Sequence, residues 1–317
     1  MLRIFCAILI LAFSHAVSLQ AYAGPLRDRI KERIAERQQA NEGDDMEEAG
    51  TGTRQKFTLP SGGVLKSDIA YGSDEAQRMD VYIPANAQNA PVIFMVHGGG
   101  WKHGDKAMNR VVENKVKRWL PKGIIVVSTN YRMLPKADPL VQANDVALAL
   151  AKAQALASSW GGDSKRFVIM GHSAGAHLVS LITADSTITQ QQGVQPWLGT
   201  VMLDSAGYDI EKVMASRHMR LYDAAFGKDT NLWKNASPIY HLKQKTVPML
   251  AVCSTKRKDQ PCTRQAQPFI DQATALGSQA STLPVAMTHG EINGELGLQS
   301  DYTDKVEAFI KSLGVAL

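Results

Sequence analysis

The sequence predicts an α/β fold in which a mostly parallel sheet is flanked by helices. Short apolar runs bounded by charged or turn residues occur at residues 91–96, 166–170 and 247–252, and they are typical of buried strands. A helical stretch at residues 176–184 follows the second run. The chain has 317 residues, which suits one large α/β domain, since such folds often reach about 250 residues as a single unit.

The N-terminus has the three parts of a secretory signal peptide. Arg3 supplies a positive charge, residues 4–13 form an apolar core, and Ala21-Tyr22-Ala23 provides a small-x-small cleavage site. Residues 1–23 are therefore predicted to be removed on export to the periplasm or the medium; the alternative is an anchor that stays attached. The apolar core is too short for a membrane span, and no later stretch is long and apolar enough to be one.

Residues 24–56 differ from the rest of the chain because they are charged and poor in apolar side chains. Such a segment is predicted to be a marginal helix with a flexible linker; the alternative is that it docks on the surface of the protein or on a partner. The catalytic domain is therefore predicted at residues 57–317. Signal cleavage removes only one charge, Arg3, and lowers the net charge from +5 to +4. A net charge this small, with Lys and Arg spread along the chain instead of clustered on one face, predicts no nucleic-acid partner.

A glycine-rich loop follows the strand at residues 91–96 and reads His97-Gly98-Gly99-Gly100-Trp101. Consecutive glycines let bare backbone N–H groups face a ligand, and such donors stabilise the oxyanion that forms when a carbonyl is attacked. A turn without a ligand is the alternative. A phosphate loop is excluded, since it would end in Gly-Lys-Ser/Thr.

Gly171-His172-Ser173-Ala174-Gly175 lies between the strand at residues 166–170 and the helix at residues 176–184. A serine on so tight a strand-to-helix turn is held clear of the backbone, and the flanking glycines permit close approach of neighbouring chain. Ser173 is therefore the predicted nucleophile. Its pairing with the glycine loop favours an oxyanion hole over a plain turn.

These two motifs make the chain resemble the α/β-hydrolase superfamily. Within it, the His-Gly-Gly-Gly loop is shared with carboxylesterases similar to hormone-sensitive lipase. The His-Gly-Gly-Gly-Trp form is most similar to the BD-FAE-like branch of feruloyl-, acetyl- and formamide-type esterases. The resemblance covers residues 60–315 and includes further family-like pieces at residues 79–84, 130–135, 160–163, 237–239 and 289–293.

The resemblance implies an acid and then a histidine after the serine. It places the acid in the loop after the strand at residues 247–252, which contains Asp259, while Asp204 and Asp209 are rivals after an earlier strand. His289 follows the strand-like run at residues 282–287 and is the implied base. No histidine pair has zinc-ligand spacing with cysteine or carboxylate neighbours, so no metal site is expected. The serine mechanism that the resemblance implies requires no cofactor.

The family analogy also assigns the oxyanion donors to the N–H groups of Gly99, Gly100 and Ala174. Trp101, next to these glycines, has the best claim to substrate contact. The implied function is a secreted serine carboxylesterase acting on short-chain or aromatic acyl esters, either small molecules or esters linked to polysaccharide. The alternatives are an arylformamidase with the same triad and a hydrolase-fold binding protein without turnover.

Three further features of the sequence are a cysteine pair, a short basic run and a segment without regular strand-helix alternation. Cys253 and Cys262 bracket Asp259, and in an oxidising compartment they are predicted to pair, with two free thiols as the alternative. The basic run at residues 256–258 is interpreted as a solvated loop; the alternative is a feature that favours acidic substrates or anionic cell-wall polymers. Residues 196–242 depart from strand-helix alternation and are predicted to form a small cap.

Overall fold

An eight-stranded sheet organises residues 57–317, the part of the chain that the computed structural model describes. The predicted signal peptide at residues 1–23 and the segment at residues 24–56 lie outside the described residues. The strands, in chain order, are β1 (Val64–Ala70), β2 (Arg78–Ile83), β3 (Ala90–Val96), β4 (Ile125–Thr129), β5 (Gly162–His172), β6 (Gly199–Leu203), β7 (Met249–Ser254) and β8 (Ala280–Val285).

The spatial order of the strands is β1-β2-β4-β3-β5-β6-β7-β8. β2 is antiparallel to both β1 and β4, whereas β4, β3, β5, β6, β7 and β8 run parallel. Strands β4, β6 and β7 are buried along their whole length, as expected for continuous apolar runs in a parallel sheet covered on both faces.

The helices cover both faces of this sheet. In chain order they are α1 (Asn109–Trp119), α2 (Pro139–Leu156), α3 (Ala174–Ala184), α4 (Ser186–Gln191), α5 (Ile210–Met214), α6 (Arg220–Phe226), α7 (Thr230–Asn235), α8 (Pro238–His241), α9 (Gln267–Ala275), α10 (His289–Gly294) and α11 (Asp301–Ser312). Local sequence explains their starts. Before α2, for example, the Asp138 side chain accepts hydrogen bonds from two backbone N–H groups, and Pro139 occupies the first turn.

Alternation along β3 divides the core into two layers. Val92, Phe94 and Val96 pack with α2, α3 and α9 on one face, while Ile93 and Met95 pack with α1, α10 and α11 on the other. The predicted mostly parallel sheet flanked by helices is confirmed. Four short helices, α5 to α8, form the insertion between β6 and β7, within the predicted cap.

The strand registers place several chemistry-bearing residues at one edge of the sheet. Val96 pairs with Gly171, and His172 pairs with Leu203, so β3, β5 and β6 end side by side. The residues that follow these strands, His97, Ser173 and Asp204, therefore share the carboxyl edge of the sheet, where open α/β folds bind ligands. Within residues 57–317, no helix has the length and apolar character needed to cross a membrane.

Candidate active site

Ser173 forms the turn between β5 and α3 and has φ +54° and ψ −119°. A non-glycine residue in this region is strained by about 1–3 kcal/mol, so the surrounding structure must hold it in place. The Ser173 N–H donates to the carbonyl of Leu203 at 2.9 Å. A side chain at Gly175 would collide with the carbonyl oxygens of Val96 and His97, which explains the glycine there.

The glycine loop after β3 lies directly against this serine. A Cβ built on Gly98 would come within 2.9 Å of the Ser173 Cβ. Gly99 and Gly100 have φ values of +110° and +59°, and the turn closes through a hydrogen bond of 2.9 Å from the His103 N–H to the Gly99 carbonyl. The predicted loop is therefore next to the predicted nucleophile.

The N–H groups of Gly99, Gly100 and Ala174 have no acceptor among residues 57–317. They are the three donors expected from the family analogy. A Cβ on Gly100 would have only the Leu221 side chain of α6 within 4 Å, at 3.8 Å, so the space beside this loop is open. Donors left without a partner in a folded chain are available to a ligand.

His289 begins α10, directly after the N-cap Thr288, and its side chain is buried. The Nδ1 atom lies 2.6 Å from Asp204 Oδ2. His172, the neighbour of Ser173, contacts the His289 ring at a centroid distance of 4.4 Å and donates from Nε2 to the His289 carbonyl at 3.1 Å. The base predicted from the resemblance therefore lies beside the residue that precedes the serine.

Asp204 follows β6 and has no exposed side-chain surface. Its Oδ1 accepts from the Ser254 N–H at 2.7 Å, and its Oδ2 faces both His289 and the Arg257 guanidinium, whose Nη1 is 3.0 Å away. Burial alone raises the pKa of a carboxyl, but the Arg257 charge and the His289 hydrogen bond outweigh burial and hold the pKa of Asp204 below its usual range. Asp204 is thus a stable carboxylate against the imidazole.

This geometry corrects the expectation that Asp259 is the partner of His289, because His289 binds Asp204 instead. Asp259 does lie in the loop after β7, but its carboxylate binds the Arg257 guanidinium at 2.6 and 3.1 Å, and its side chain is 42% exposed. The physical reason is distance from the sheet edge, because Asp204 directly follows a strand and Asp259 does not. The other rival, Asp209, caps α5 by accepting from the Lys212 N–H.

The basic run at residues 256–258 was expected to be a solvated loop, and this expectation fails for Arg257. The Arg257 side chain is just 13% exposed and lies between Asp204 and Asp259. Sequence reasoning missed this residue. The available signal was an arginine placed between two candidate acids, in the loop where the family carries its carboxylate.

Trp101 was expected to contact the substrate, but its side chain does not line an open pocket. Its side chain is 3% exposed and packs edge-on against His177, Tyr222 and Phe226. The Trp101 carbonyl also accepts from the Leu134 N–H and from Gln142 Nε2. Trp101 therefore anchors the glycine loop to α3 and to the insertion after β6.

His177 completes this anchor and must be neutral in the folded chain. Its Nε2 donates to the Ala236 carbonyl at 2.7 Å, which leaves Nδ1 to accept from Trp101 Nε1 at 3.1 Å. Burial lowers the pKa of His177 to about 4, and the hydrogen bond to Ala236 offsets only part of that effect.

The lowered pKa of His177 predicts acid destabilisation. The unfolded chain binds the proton near pH 6.5, so stability present above that pH is lost as pH falls toward about 4, by up to about 3 kcal/mol. Denaturant unfolding at pH 7, 5 and 4 measures this loss. His177→Gln keeps one donor and one acceptor without a titrating ring and is expected to lose less stability. Equal losses in both proteins would contradict this assignment.

A disulfide joins Cys253 and Cys262. The bond closes the loop that carries Arg257 and Asp259, with a sequence separation of 9 residues. Within residues 57–317, no group of three or more His, Cys, Asp or Glu side chains is arranged to hold a metal ion.

Comparisons with known proteins agree with this fold. The probable isoprenylcysteine alpha-carbonyl methylesterase of Oryza sativa subsp. japonica is 29% identical over 191 residues, which are 58% of this chain and 44% of that relative. The kynurenine formamidase of Danio rerio is 28% identical over 150 residues, which are 47% of this chain and 48% of that relative. This chain therefore matches less than half the length of either relative.

Among solved structures, esterase B from Lactobacillus rhamnosis, seen with a C4-C4 SN3 tributyrin phosphonate, matches with a TM-score of 0.65. The identity is 20%, and the match covers 95% of each chain. At that identity the likeness supports the α/β-hydrolase fold. The BD-FAE family model matches residues 79–267, more than half of the chain. This chain belongs to the BD-FAE family.

Proposed function

We propose that this chain is an exported serine carboxylesterase that hydrolyses short-chain or aromatic acyl esters. The observation that carries the proposal is the buried Asp204–His289 pair, with 2.6 Å between Oδ2 and Nδ1, beside the strained Ser173 turn. A carboxylate that accepts the Nδ1 proton leaves Nε2 of the imidazole as a base. Ser173 is the nucleophile, His289 the base and Asp204 the acid.

Each step of ester hydrolysis can then be assigned to a group in this site. Ser173 Oγ attacks the acyl carbon while His289 Nε2 takes its proton, and the N–H groups of Gly99, Gly100 and Ala174 hold the oxyanion. His289 returns the proton to the leaving alcohol. Water repeats the cycle on the acyl-enzyme and releases the acid, so the reaction needs no cofactor. The open space bounded by Leu221 is the proposed place for the acyl group.

The proposed domain arrangement has a signal peptide at residues 1–23, a charged segment at residues 24–56 and the catalytic domain at residues 57–317. The disulfide between Cys253 and Cys262 supports export, because disulfides persist in oxidising compartments. A small-molecule ester and an ester on a polysaccharide are both compatible with this arrangement.

Amide-type hydrolysis of an arylformamide is the second candidate. It is favoured by the similarity to a kynurenine formamidase. The same nucleophile, base and oxyanion donors serve both reactions, and the leaving group is an aromatic amine instead of an alcohol. The proposed export argues against a role in cytosolic amino-acid breakdown.

One experiment tests these candidates together. Mature protein is assayed with p-nitrophenyl acetate, butyrate and octanoate and with formanilide, and separately treated with a p-nitrophenyl alkylphosphonate. We expect ester turnover well above formanilide turnover, and one phosphonyl group per chain on the Ser173 peptide by mass spectrometry. A formanilide preference would favour the second candidate. Folded protein that turns over neither substrate and takes no label would overturn both in favour of a binding role.

A further inference from the structure

Arg257 is a largely buried charge that has no part in the hydrolysis steps proposed above. It lies in the loop after β7, where the resemblance placed an acid, and points instead toward the acid that follows β6. All three of its side-chain nitrogens contact carboxylates. Nη1 is 3.0 Å from Asp204 Oδ2, while Nη2 and Nε are 2.6 and 3.1 Å from the two oxygens of Asp259.

The Arg257 guanidinium also lies close to the imidazole, with Nη1 3.1 Å from His289 Nδ1. Both nitrogens are donors when Asp204 accepts the Nδ1 proton, so this contact is not a hydrogen bond in that state. Instead, the guanidinium and the imidazole share one oxygen, Asp204 Oδ2. The four side chains therefore form a chain of contacts in space. Asp259 binds Arg257, Arg257 binds Asp204, and Asp204 binds the imidazole of His289.

The loop that carries Arg257 is restrained at several points. The disulfide between Cys253 and Cys262 closes it. Ser254 donates from its backbone N–H to Asp204 Oδ1 at 2.7 Å and from its hydroxyl to the Met287 carbonyl at 2.6 Å. Ser254 thus links Asp204 to the segment between β8 and His289. Together with the disulfide, these hydrogen bonds restrain the loop that carries Arg257.

Resting on the proposed triad, we propose that Arg257 is a positioning residue that fixes the Asp204 carboxylate against His289, and that Asp259 neutralises the guanidinium so that the imidazolium can form. A bidentate pair between arginine and carboxylate fixes orientation as well as charge. Without Asp259, the arginine would oppose a positive charge on His289, and without Arg257, Asp204 would lose the donor that shares Oδ2.

The charge roles predict shifts of opposite sign in the acid limb of the pH profile of kcat/KM. Arg257→Gln removes a positive charge near the imidazole and is expected to move the acid limb up by roughly 0.5–1 pH unit. Asp259→Asn removes a negative charge and is expected to move it down by a similar amount. Other charged or titratable groups near His289 stay in both variants: His172 from β5, Arg110 from α1, Lys256 and Glu291.

The positioning role predicts a loss in kcat with KM changed less than about twofold. We expect a fall of about 10–100-fold for Arg257→Gln, because small misplacements of catalytic groups are costly, and roughly 3–10-fold for Asp259→Asn. Arg257→Lys keeps the charge but loses the planar fork that contacts Asp204 and Asp259 through separate nitrogens, so partial rescue is expected. Asp259 lies at the surface, so its variant also carries the test if Arg257→Gln fails to fold.

A second readout is independent of turnover. NMR titration of ¹⁵N-histidine-labelled mature protein follows the charge of His289, whose signal is assigned by its absence in His289→Gln. Opposite shifts of the His289 titration in the two variants support the inference even if the wild type hydrolyses no ester, an outcome that would defeat only the proposed function. Unchanged titrations, or shifts of the same sign, would overturn the inference while leaving an active esterase intact.

Discussion

Replacing Ser173 by alanine is expected to lower kcat/KM for p-nitrophenyl butyrate by about 10⁴–10⁶-fold. The change removes only the attacking oxygen, and without it no acyl-enzyme can form. Alanine keeps the Cβ and suffers the same strain at φ +54°, so the fold and the melting temperature are expected to persist. Spectrophotometric assay of the purified protein measures the loss.

Ser180→Ala is the matched control, because Ser180 is a buried serine on α3, the helix that begins directly after Ser173. Its hydroxyl donates to the His177 carbonyl at 2.8 Å and takes no part in the proposed chemistry. We expect ester turnover within about twofold of the wild type in this variant, and full phosphonate labelling. Turnover that survives in Ser173→Ala, or a label on another residue, would reject the nucleophile assignment.

The serine turn and the glycine loop were predictable because their signals are local. A strand, a tight turn and a helix follow one another around Ser173, and the predicted helix at residues 176–184 lies within α3. Glycines at 98–100 and at 171 and 175 stand where a side chain would meet a neighbouring backbone or would have to adopt positive φ. Short-range patterns of this kind express backbone sterics, which sequence shows directly.

The partner of the histidine was not predictable in the same way, because it depends on side chains brought together by tertiary structure. Asp204 and His289 are 85 positions apart, and their contact depends on how β6, β7 and the start of α10 meet at the sheet edge. The family pattern favoured Asp259, but that loop places Arg257 inward and Asp259 outward. Charge sign within a loop does not show which side chain is buried.

Trp101 shows the same limit for aromatic residues. Its position after the glycines at residues 98–100 indicated a role at the site, and its ring does lie near the site, but it faces the core. The direction is decided by Tyr222 and Phe226, which arrive from α6 more than a hundred residues later. Local sequence can place a residue at a site without showing which way its side chain points.

Asp204→Asn is expected to lower kcat for p-nitrophenyl butyrate by about 10⁴-fold, the size of loss seen when a triad aspartate is replaced. The amide is neutral, so it cannot stabilise the imidazolium, and its NH₂ group can turn toward Nδ1 and select the wrong tautomer. Asn is nearly the same size as Asp, so the fold is expected to persist. Phosphonate labelling of Ser173 should slow in parallel with turnover.

Asp259→Asn is the matched control, because it makes the same chemical change in the loop that the family pattern favoured. Its carboxylate reaches His289 only through Arg257, so a fall of no more than about tenfold in kcat is expected. The ratio of the two losses identifies the acid. A large loss in Asp259→Asn together with a small loss in Asp204→Asn would mean that the loop rearranges in solution and that the acid follows β7 after all. Near-equal large losses would instead mean that Asp204, Arg257 and Asp259 act as one unit, since groups that work together do not contribute additively.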